Sequence, residues 1–213
     1  MGEWDGPVGD ERADLVVRSS TRVHHGLVWD VRRDEVELAD GQVVTREVLE
    51  HTGAVGVVAL DDRDRVLLVR QYRHPVRSYL WEPPAGLLDV AGEDPLVTAQ
   101  RELAEEAHLT AGEWHVLVDF YNSPGGSTEA FRCYLARDLR PVPHEERHEG
   151  HGEERDMPVA WLPLDDARDR VLAGRLHNPT AVTGILAACA ARDAGWQTLR
   201  AAGSAWPERS PGR

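Results

Sequence analysis

Two apolar runs near the middle of the chain constrain its fold more than any other feature. Residues 54–60 are almost all apolar, residues 61–64 form a charged turn, and a second apolar run covers residues 65–71. Short apolar runs bounded by a polar turn are typical of strands in a sheet that is covered on both faces. The sequence therefore predicts a strand pair in a buried sheet.

The flanking regions predict further strands and helices. Asp40–Gly41 is a hairpin turn dipeptide, and apolar residues spaced by three and four positions indicate a helix after Pro95. The other predicted elements are strands at 23–31, 35–38, 43–49, 114–121 and 130–136, and helices at 95–109, 164–173 and 180–192. This order indicates a mixed α/β layered fold rather than a doubly wound one.

The same pattern divides the chain into three parts. Residues 1–50 form an N-terminal β unit, residues 51–193 form the main domain, and residues 194–213 form a loose C-terminal tail that is rich in Gly, Ser and Pro towards its end.

Composition excludes several classes of function. The chain has 37 acidic residues against 24 basic ones, a formal net charge of −13. All the basic residues are arginine, so Schiff-base, pyridoxal-phosphate and P-loop lysine chemistry is excluded. The acid excess also argues against binding to nucleic acid. Without an apolar run of about 18 residues or a signal peptide, we expect a cytoplasmic protein with no membrane partner, and two cysteines supply neither a disulfide framework nor a zinc site.

Three glutamates crowd one side of the predicted helix. Glu102, Glu105 and Glu106 fall within about 100° of one another on a helical wheel, beside an apolar face that includes Ala99 and Leu103. Like charges at this spacing repel each other, and a Mg²⁺ ion would remove the conflict. The alternative interpretation is a solvated acidic face with no ligand.

The residues around these glutamates form a longer pattern. GLLDVAGE at residues 86–93 is followed after seven residues by RELAEEAHL at residues 101–109. This arrangement resembles the Nudix box, the signature of hydrolases that cleave nucleoside diphosphates linked to another group. The sequence departs from the box at two points: six residues rather than five separate Gly86 from Glu93, and His108 replaces a glycine. The resemblance predicts an α/β/α sandwich with a mixed sheet.

The resemblance also implies a role for each box residue. Glu102 and Glu106 would be ligands for Mg²⁺ or Mn²⁺, with Glu105 helping or orienting them. The backbone oxygen of Ala85 matches a further ligand position. Arg101 would steady the glutamates, and Glu93 looks like a brace for the loop.

Flanking segments narrow the resemblance. Residues 69–74, 80–86 and 123–126 resemble bacterial ADP-ribose pyrophosphatases, with Pro124 at the position of a proline in the actinobacterial type. This similarity implies hydrolysis of ADP-ribose to AMP and ribose 5-phosphate by a homodimer that exchanges its N-terminal strands. A pyrophosphatase for GDP-mannose, UDP-glucose or another nucleoside diphosphate sugar is the main alternative. A non-catalytic domain that senses ADP-ribose is a remote one.

The same similarity suggests residues outside the box. Glu154, with Glu153 second, would be the general base on an acidic loop that otherwise reads as a polar connector. Arg73 would meet the phosphates, or else is a surface arginine at a strand end. Glu82 would bind the adenine amino group, Pro124 lines the substrate side, and Trp29 stacks on adenine or belongs to a core. The nearby histidines, His144, His148 and His151, are interpreted as solvated residues rather than zinc ligands.

Overall fold

The structure is a computed structural model that describes residues 6–147 and 157–209. The chain divides into two compact units, Met1–His51 and Thr52–Arg213. No helix in the described ranges is long and apolar enough to cross a membrane.

The first unit is an antiparallel sheet of three strands in the order β1-β2-β3. The strands are β1 Val16–His25, β2 Asp30–Glu37 and β3 Val43–Glu50. The hairpin predicted at Asp40–Gly41 is confirmed, because Gly41 has φ +83° and its N–H donates to the Leu38 carbonyl at 2.9 Å. The strand predicted at 23–31 is wrong. The chain turns at Gly26, whose N–H donates to the Trp29 carbonyl at 3.1 Å, so this stretch is split between β1 and β2.

The second unit contains two further sheets. One has the order β11-β8-β9-β4-β7 and the other β10-β5-β6. β4 and β9 are parallel and the remaining neighbours antiparallel, so the predicted mixed sheet is confirmed. The strands are β4 Ala54–Ala59, β5 Arg65–Arg73, β6 Ser78–Glu82, β7 Ala85–Leu87, β8 Leu109–Tyr121, β9 Ala130–Pro141, β10 Val159–Pro163 and β11 Arg200–Ala201. The helices are α1 Pro95–Ala107, α2 Leu164–Leu172 and α3 Pro179–Asp193, with 3-10 turns at His74–Val76 and His144–Glu146.

The two apolar runs are buried as predicted, but they do not form a strand pair. β4 lies between β9 and β7, whereas β5 lies between β10 and β6. Only a single bridge, Leu60 to Val66, joins the runs within the described residues. Apolar content predicts burial on both faces, but it carries no information about which strand is the neighbour.

Alternating side chains build a core on each side of the sheets. On β4, Val55 and Val57 face a cluster that includes Leu103 of α1, whereas Val58 faces a cluster that includes Ile185 of α3. α2 packs on the α3 side, with Leu164 and Ala167 buried. The second unit is therefore an α/β/α sandwich, as the resemblance predicted.

Helix α1 has a specific residue at each end. The Asp94 carboxylate accepts from the Leu96 N–H at 2.8 Å and caps the N-terminus. His108 ends the helix in the left-handed conformation, with φ 54° and ψ 39°. Glycine is the usual residue here, so His108 takes the backbone conformation of the residue that it replaces. The predicted helix is confirmed, although it ends at Ala107 rather than at residue 109.

The described part of the C-terminal segment is held in place, unlike the loose tail expected from its composition. β11 pairs with β8. Arg132, buried on β9, donates to the carbonyls of Ser204 and Ala205 at 2.7 and 3.1 Å and lies 4.7 Å from the Trp206 ring centroid. A polar segment can thus be ordered by one buried arginine, which composition does not reveal.

Candidate active site

The centre of the site is the contact between α1 and the short strand β7. Glu106, in the last turn of α1, accepts a hydrogen bond at 3.0 Å from the N–H of Ala85, the first residue of β7. The preceding Pro83–Pro84 ends β6, and the Pro84 carbonyl accepts from the N–H of Val57 on β4 at 2.8 Å. The buried strand β4 therefore fixes the backbone against which Glu106 is held.

Glu102 lies one turn earlier on α1 and approaches the same backbone. A Cβ atom placed on Gly86 would lie 2.0 Å from Glu102 Oε1 and 2.2 Å from its Cδ. Real Cβ atoms do not approach an oxygen so closely, so glycine is required for this placement. The carboxylates of Glu102 and Glu106 thus both lie against residues 85–86.

Arg101 connects the other acidic residues of the motif. Its Nε and Nη2 donate to Glu93 at 3.3 and 3.1 Å, and its Nη1 donates to Glu102 at 2.7 Å and to Glu105 at 3.1 Å. Thr98 also donates to Glu93, at 2.7 Å. Sequence reasoning placed Arg101 and Glu93 in these bracing roles but missed Thr98, because a threonine inside a helix gives no specific signal.

These contacts have clear electrostatic effects. Hydrogen bonds from Arg101 and Thr98 lower the pKa of the Glu93 carboxyl. The same Glu93 contact, followed by the charge of Glu102, raises the pKa of the Arg101 guanidinium. The ion pair between Arg101 and Glu93 therefore remains charged at neutral pH and joins the loop before α1 to the body of the helix.

The donor set fits a Mg²⁺ ion that is completed by substrate. In the ranges 6–147 and 157–209, no three His, Cys, Asp or Glu side chains form a group that could hold a metal by themselves. Arg101 binds both Glu102 and Glu105, the predicted helper, and Glu102 also lies against residues 85–86. Mg²⁺ is usually held by one or two carboxylates together with water and phosphate oxygens. Glu102 and Glu106 offer the two carboxylates.

Arg73 and Glu82 form a bidentate pair, an arrangement that sequence reasoning did not predict. Arg73 Nε donates to Glu82 Oε1 at 2.9 Å, and Nη2 donates to Oε2 at 2.6 Å. Glu82 is only 2% exposed, whereas the Arg73 side chain is 43% exposed. In register, Glu82 lies opposite Val69, a core residue on the α1 side, so the pair faces the same side of the sheet as α1.

This pairing bears on the roles predicted for the two residues. The Glu82 carboxylate, predicted to bind an adenine amino group, is buried and bound by Arg73. Arg73 is therefore not merely a surface arginine at a strand end, because it compensates a buried charge. The exposed part of the Arg73 side chain has space to contact a phosphate group.

The remaining predicted residues lie elsewhere. Trp29 is 44% exposed and stacks on His51 with ring centroids 5.9 Å apart, so the alternative that it is a core residue is wrong. Pro124 lies in an exposed turn between β8 and β9. The predicted general bases, Glu153 and Glu154, lie outside the described residues, as do His148 and His151.

A cleft of about 470 Å³ opens on the outer side of α1. Its lining includes Arg101 and Glu105 of the helix and the segment that follows β9: Val142, Glu145, Glu146 and Arg147. The resemblance places the general base on the acidic loop that continues this segment, but nothing in the composition of residues 142–147 indicates that they lie beside α1.

Comparison with known proteins agrees with the motif. A family model described as the NUDIX domain matches residues 50–181. The ADP-ribose pyrophosphatase of Mycobacterium tuberculosis is 50% identical over 174 residues, which cover 82% of this chain and 83% of that protein. The ADP-ribose pyrophosphatase of Bacillus subtilis is 37% identical over 164 residues, covering 77% of this chain and 86% of that protein.

A solved structure described as an ADP compounds hydrolase has the same fold. It superposes with a TM-score of 0.73 at 22% identity, covering 88% of this chain and 99% of that one. The resemblance inferred from residues 86–109 is confirmed by a family model that spans more than half of the chain and by two relatives above 30% identity. The chain belongs to the Nudix family.

Proposed function

We propose that the protein is an ADP-ribose pyrophosphatase that hydrolyses ADP-ribose to AMP and ribose 5-phosphate in the presence of Mg²⁺. The observation that carries this proposal is the 50% identity, over 82% of the chain, to a protein described by that activity. The convergence of Glu102 and Glu106 on the backbone of residues 85–86 supports it independently, because it presents two carboxylates at one point.

Glu102, Glu106 and the backbone oxygen of Ala85 would hold the cation. When bound, Mg²⁺ or Mn²⁺ supplies charge neutralisation for a diphosphate and acidifies a water molecule. Arg101 keeps Glu102 and Glu105 in place, and Gly86 leaves the space that the Glu102 carboxylate needs.

Other residues act on the substrate and the water. The exposed part of Arg73 donates to phosphate oxygens, while its pairing with Glu82 fixes the direction of the guanidinium. Glu154 takes the proton from the attacking water, with Glu153 as the second candidate. Trp29 and Pro124 contribute to nucleotide binding, whereas the buried Glu82 carboxylate acts through the direction that it gives to Arg73.

A substrate panel tests this function. ADP-ribose, GDP-mannose and UDP-glucose are each incubated with enzyme and Mg²⁺, and kcat/KM is determined from the release of the nucleoside monophosphate. We expect ADP-ribose to be the best substrate. A higher kcat/KM for GDP-mannose or UDP-glucose would overturn the substrate assignment and leave the reaction class intact. Tight binding of ADP-ribose without any turnover would replace it with a sensing role.

We further propose that residues 1–50 form a dimerisation unit in a homodimer. In the range 6–51 the only buried residue is Asp34, and Val16, Val17 and Val23 are each at least 44% exposed. A sheet of three strands without apolar burial is marginally stable, so it needs a partner surface. Light scattering on the full chain and on a chain lacking residues 1–50 should give a dimer and a monomer, respectively.

A further inference from the structure

A second cleft lies on the opposite side of the sheets from α1. It encloses about 300 Å³ between β6, β10 and the end of α2. Its lining includes the apolar side chains of Leu68, Trp81 and Leu176 and the two exposed arginines, Arg170 and Arg175. Trp81 packs against the core cluster of α2 and α3, whereas its neighbour Glu82 faces α1. The cleft is therefore separate from the site described above.

The backbone fixes the two arginines beside each other. α2 ends in two hydrogen bonds, from the Arg175 N–H to the Arg170 carbonyl at 2.9 Å and from the Gly174 N–H to the Val171 carbonyl at 3.0 Å. Gly174 adopts φ +65°. This pairing is a Schellman motif, which locks the turn after a helix. Both side chains thus emerge from a fixed turn, so the backbone does not have to be ordered when they bind a common anion.

Neither guanidinium has a carboxylate partner in the part of the chain that the structure describes. Many other arginines of this acidic protein are ion-paired, including Arg168 and Arg192 close by. Arg170 lies in the last turn of α2, where the helix dipole favours a cation, but neither Arg170 nor Arg175 forms a side-chain hydrogen bond in the described ranges.

The acidic residues nearby do not serve as ion-pair partners of Arg170 and Arg175. Asp166 and Asp169 line an adjoining cleft of about 320 Å³, which shares Arg170 and Arg175 with this one. Asp169 is bound by Arg168, whose Nη2 lies 2.9 Å from its Oδ1. On the side that faces Trp81 the lining is apolar apart from the two arginines. The cleft lined by Trp81 therefore favours an anion more than the adjoining one, whose lining includes two carboxylates.

We propose that this cleft is a second ligand site, which binds an organic anion made of a flat ring and a phosphate group. The ring contacts Trp81 and the other apolar side chains, and the phosphate takes hydrogen bonds from both guanidiniums. A volume of about 300 Å³ is within the range of small-ligand sites. A nucleoside monophosphate has this chemistry. Binding here does not depend on the hydrolysis proposed above.

NMR of the tryptophan side chains tests the proposal on the full-length protein. The indole N–H signal of Trp81 is assigned with the Trp81→Phe variant, and AMP is added in the presence of EDTA. We expect a saturable shift of that signal. The double variant Arg170→Ala/Arg175→Ala should weaken the apparent affinity at least about tenfold, because two charge-assisted hydrogen bonds are lost.

Control variants and control ligands show whether the shift of the Trp81 signal comes from binding in this cleft. Arg63→Ala removes an exposed arginine from the turn before β5 and should leave the affinity unchanged. Adenosine lacks the anion and inorganic phosphate lacks the ring, so each should bind at least about tenfold more weakly than AMP. Thermal unfolding shows whether the double variant is folded. The proposal is overturned if Trp81 does not respond to AMP, if the folded double variant binds AMP as the wild type does, or if adenosine binds equally well.

Discussion

At the scale of single residues, the site depends on the absence of one side chain. Gly86→Ala places a methyl group 2.0 Å from the present position of Glu102 Oε1, so the carboxylate must move. Displacing a catalytic group by about 1 Å can cost roughly 100-fold in rate. We therefore expect kcat to fall by about two orders of magnitude with little change in the thermal midpoint. Gly203→Ala, where a Cβ meets nothing within 4 Å, is the matched control.

The Arg73–Glu82 pair should contribute to stability as well as to activity. Arg73→Ala leaves a buried carboxylate without its bidentate partner, which should lower the free energy of unfolding by about 3 kcal/mol. Adding Glu82→Gln removes the uncompensated charge, so the double variant should recover about 1 kcal/mol or more in urea unfolding. Equal stability of the single and double variants would show that the pair is not what holds Glu82.

At this scale the sequence identifies the residues of the site but not all of their contacts. The motif located Arg101, Glu102 and Glu106 because their roles depend on spacing along one helix. The pairing of Arg73 with Glu82 and the approach of Glu102 to Gly86 depend on how separate strands are positioned, which spacing does not determine.

At the scale of elements, the link between Glu93 and α1 should make stability depend on pH. Hydrogen bonds from Arg101 and Thr98 lower the pKa of Glu93 in the folded state. The stabilisation is therefore complete above the unfolded value of about 4.3 and is lost as the pH falls through the folded value. Glu93→Gln should be less stable than the wild type at pH 7, with a difference that shrinks below about pH 4.3.

Urea unfolding at a series of pH values measures this difference. Glu11→Gln, which alters an exposed carboxylate before β1, serves as the control and should not change the free energy of unfolding at any of these pH values. A constant difference between Glu93→Gln and the wild type from pH 7 to pH 3 would contradict the assignment.

Elements defined by local periodicity were predicted well, and elements defined by distant pairing were not. The helices predicted at 95–109, 164–173 and 180–192 correspond to α1, α2 and α3, and for α1 the signal is the local spacing of apolar residues. The separation of β4 from β5 into two sheets does not, because a fully apolar strand is compatible with several neighbours. His108 is a further case that the sequence does not decide. It replaces the usual glycine, yet its left-handed conformation ends the helix in the same way.

At the scale of the whole molecule, the C-terminal segment is part of the folded second unit. Trp206 stacks on the buried Arg132, which also binds Asp119 bidentately at 2.8 and 2.9 Å. Trp206→Ala removes the ring and exposes the arginine, so we expect the free energy of unfolding to fall by about 1–3 kcal/mol. Leu172→Ala, at a position 70% exposed, should change it by less than about 0.5 kcal/mol. If Trp206→Ala leaves the free energy of unfolding unchanged, the segment is not docked in solution.

At this scale the net charge limits which ligands the protein can bind. A charge of −13 disfavours long polyanions, but it does not disfavour a small diphosphate. A few carboxylates on α1 attract a cation locally, and arginine supplies the remaining positive charge. The absence of lysine therefore excludes none of the proposed steps.

The most direct test of the central claim compares wild-type protein with Glu106→Gln and Glu113→Gln. Glutamine at 106 keeps an acceptor for the Ala85 N–H but removes the charge. With ADP-ribose and Mg²⁺, chromatography should show AMP and ribose 5-phosphate from wild type and Glu113→Gln, and at least about a 100-fold slower release from a folded Glu106→Gln variant. Absence of AMP from the wild type, or an undiminished rate for Glu106→Gln, would contradict the assignment of a Mg²⁺-dependent ADP-ribose pyrophosphatase to this site.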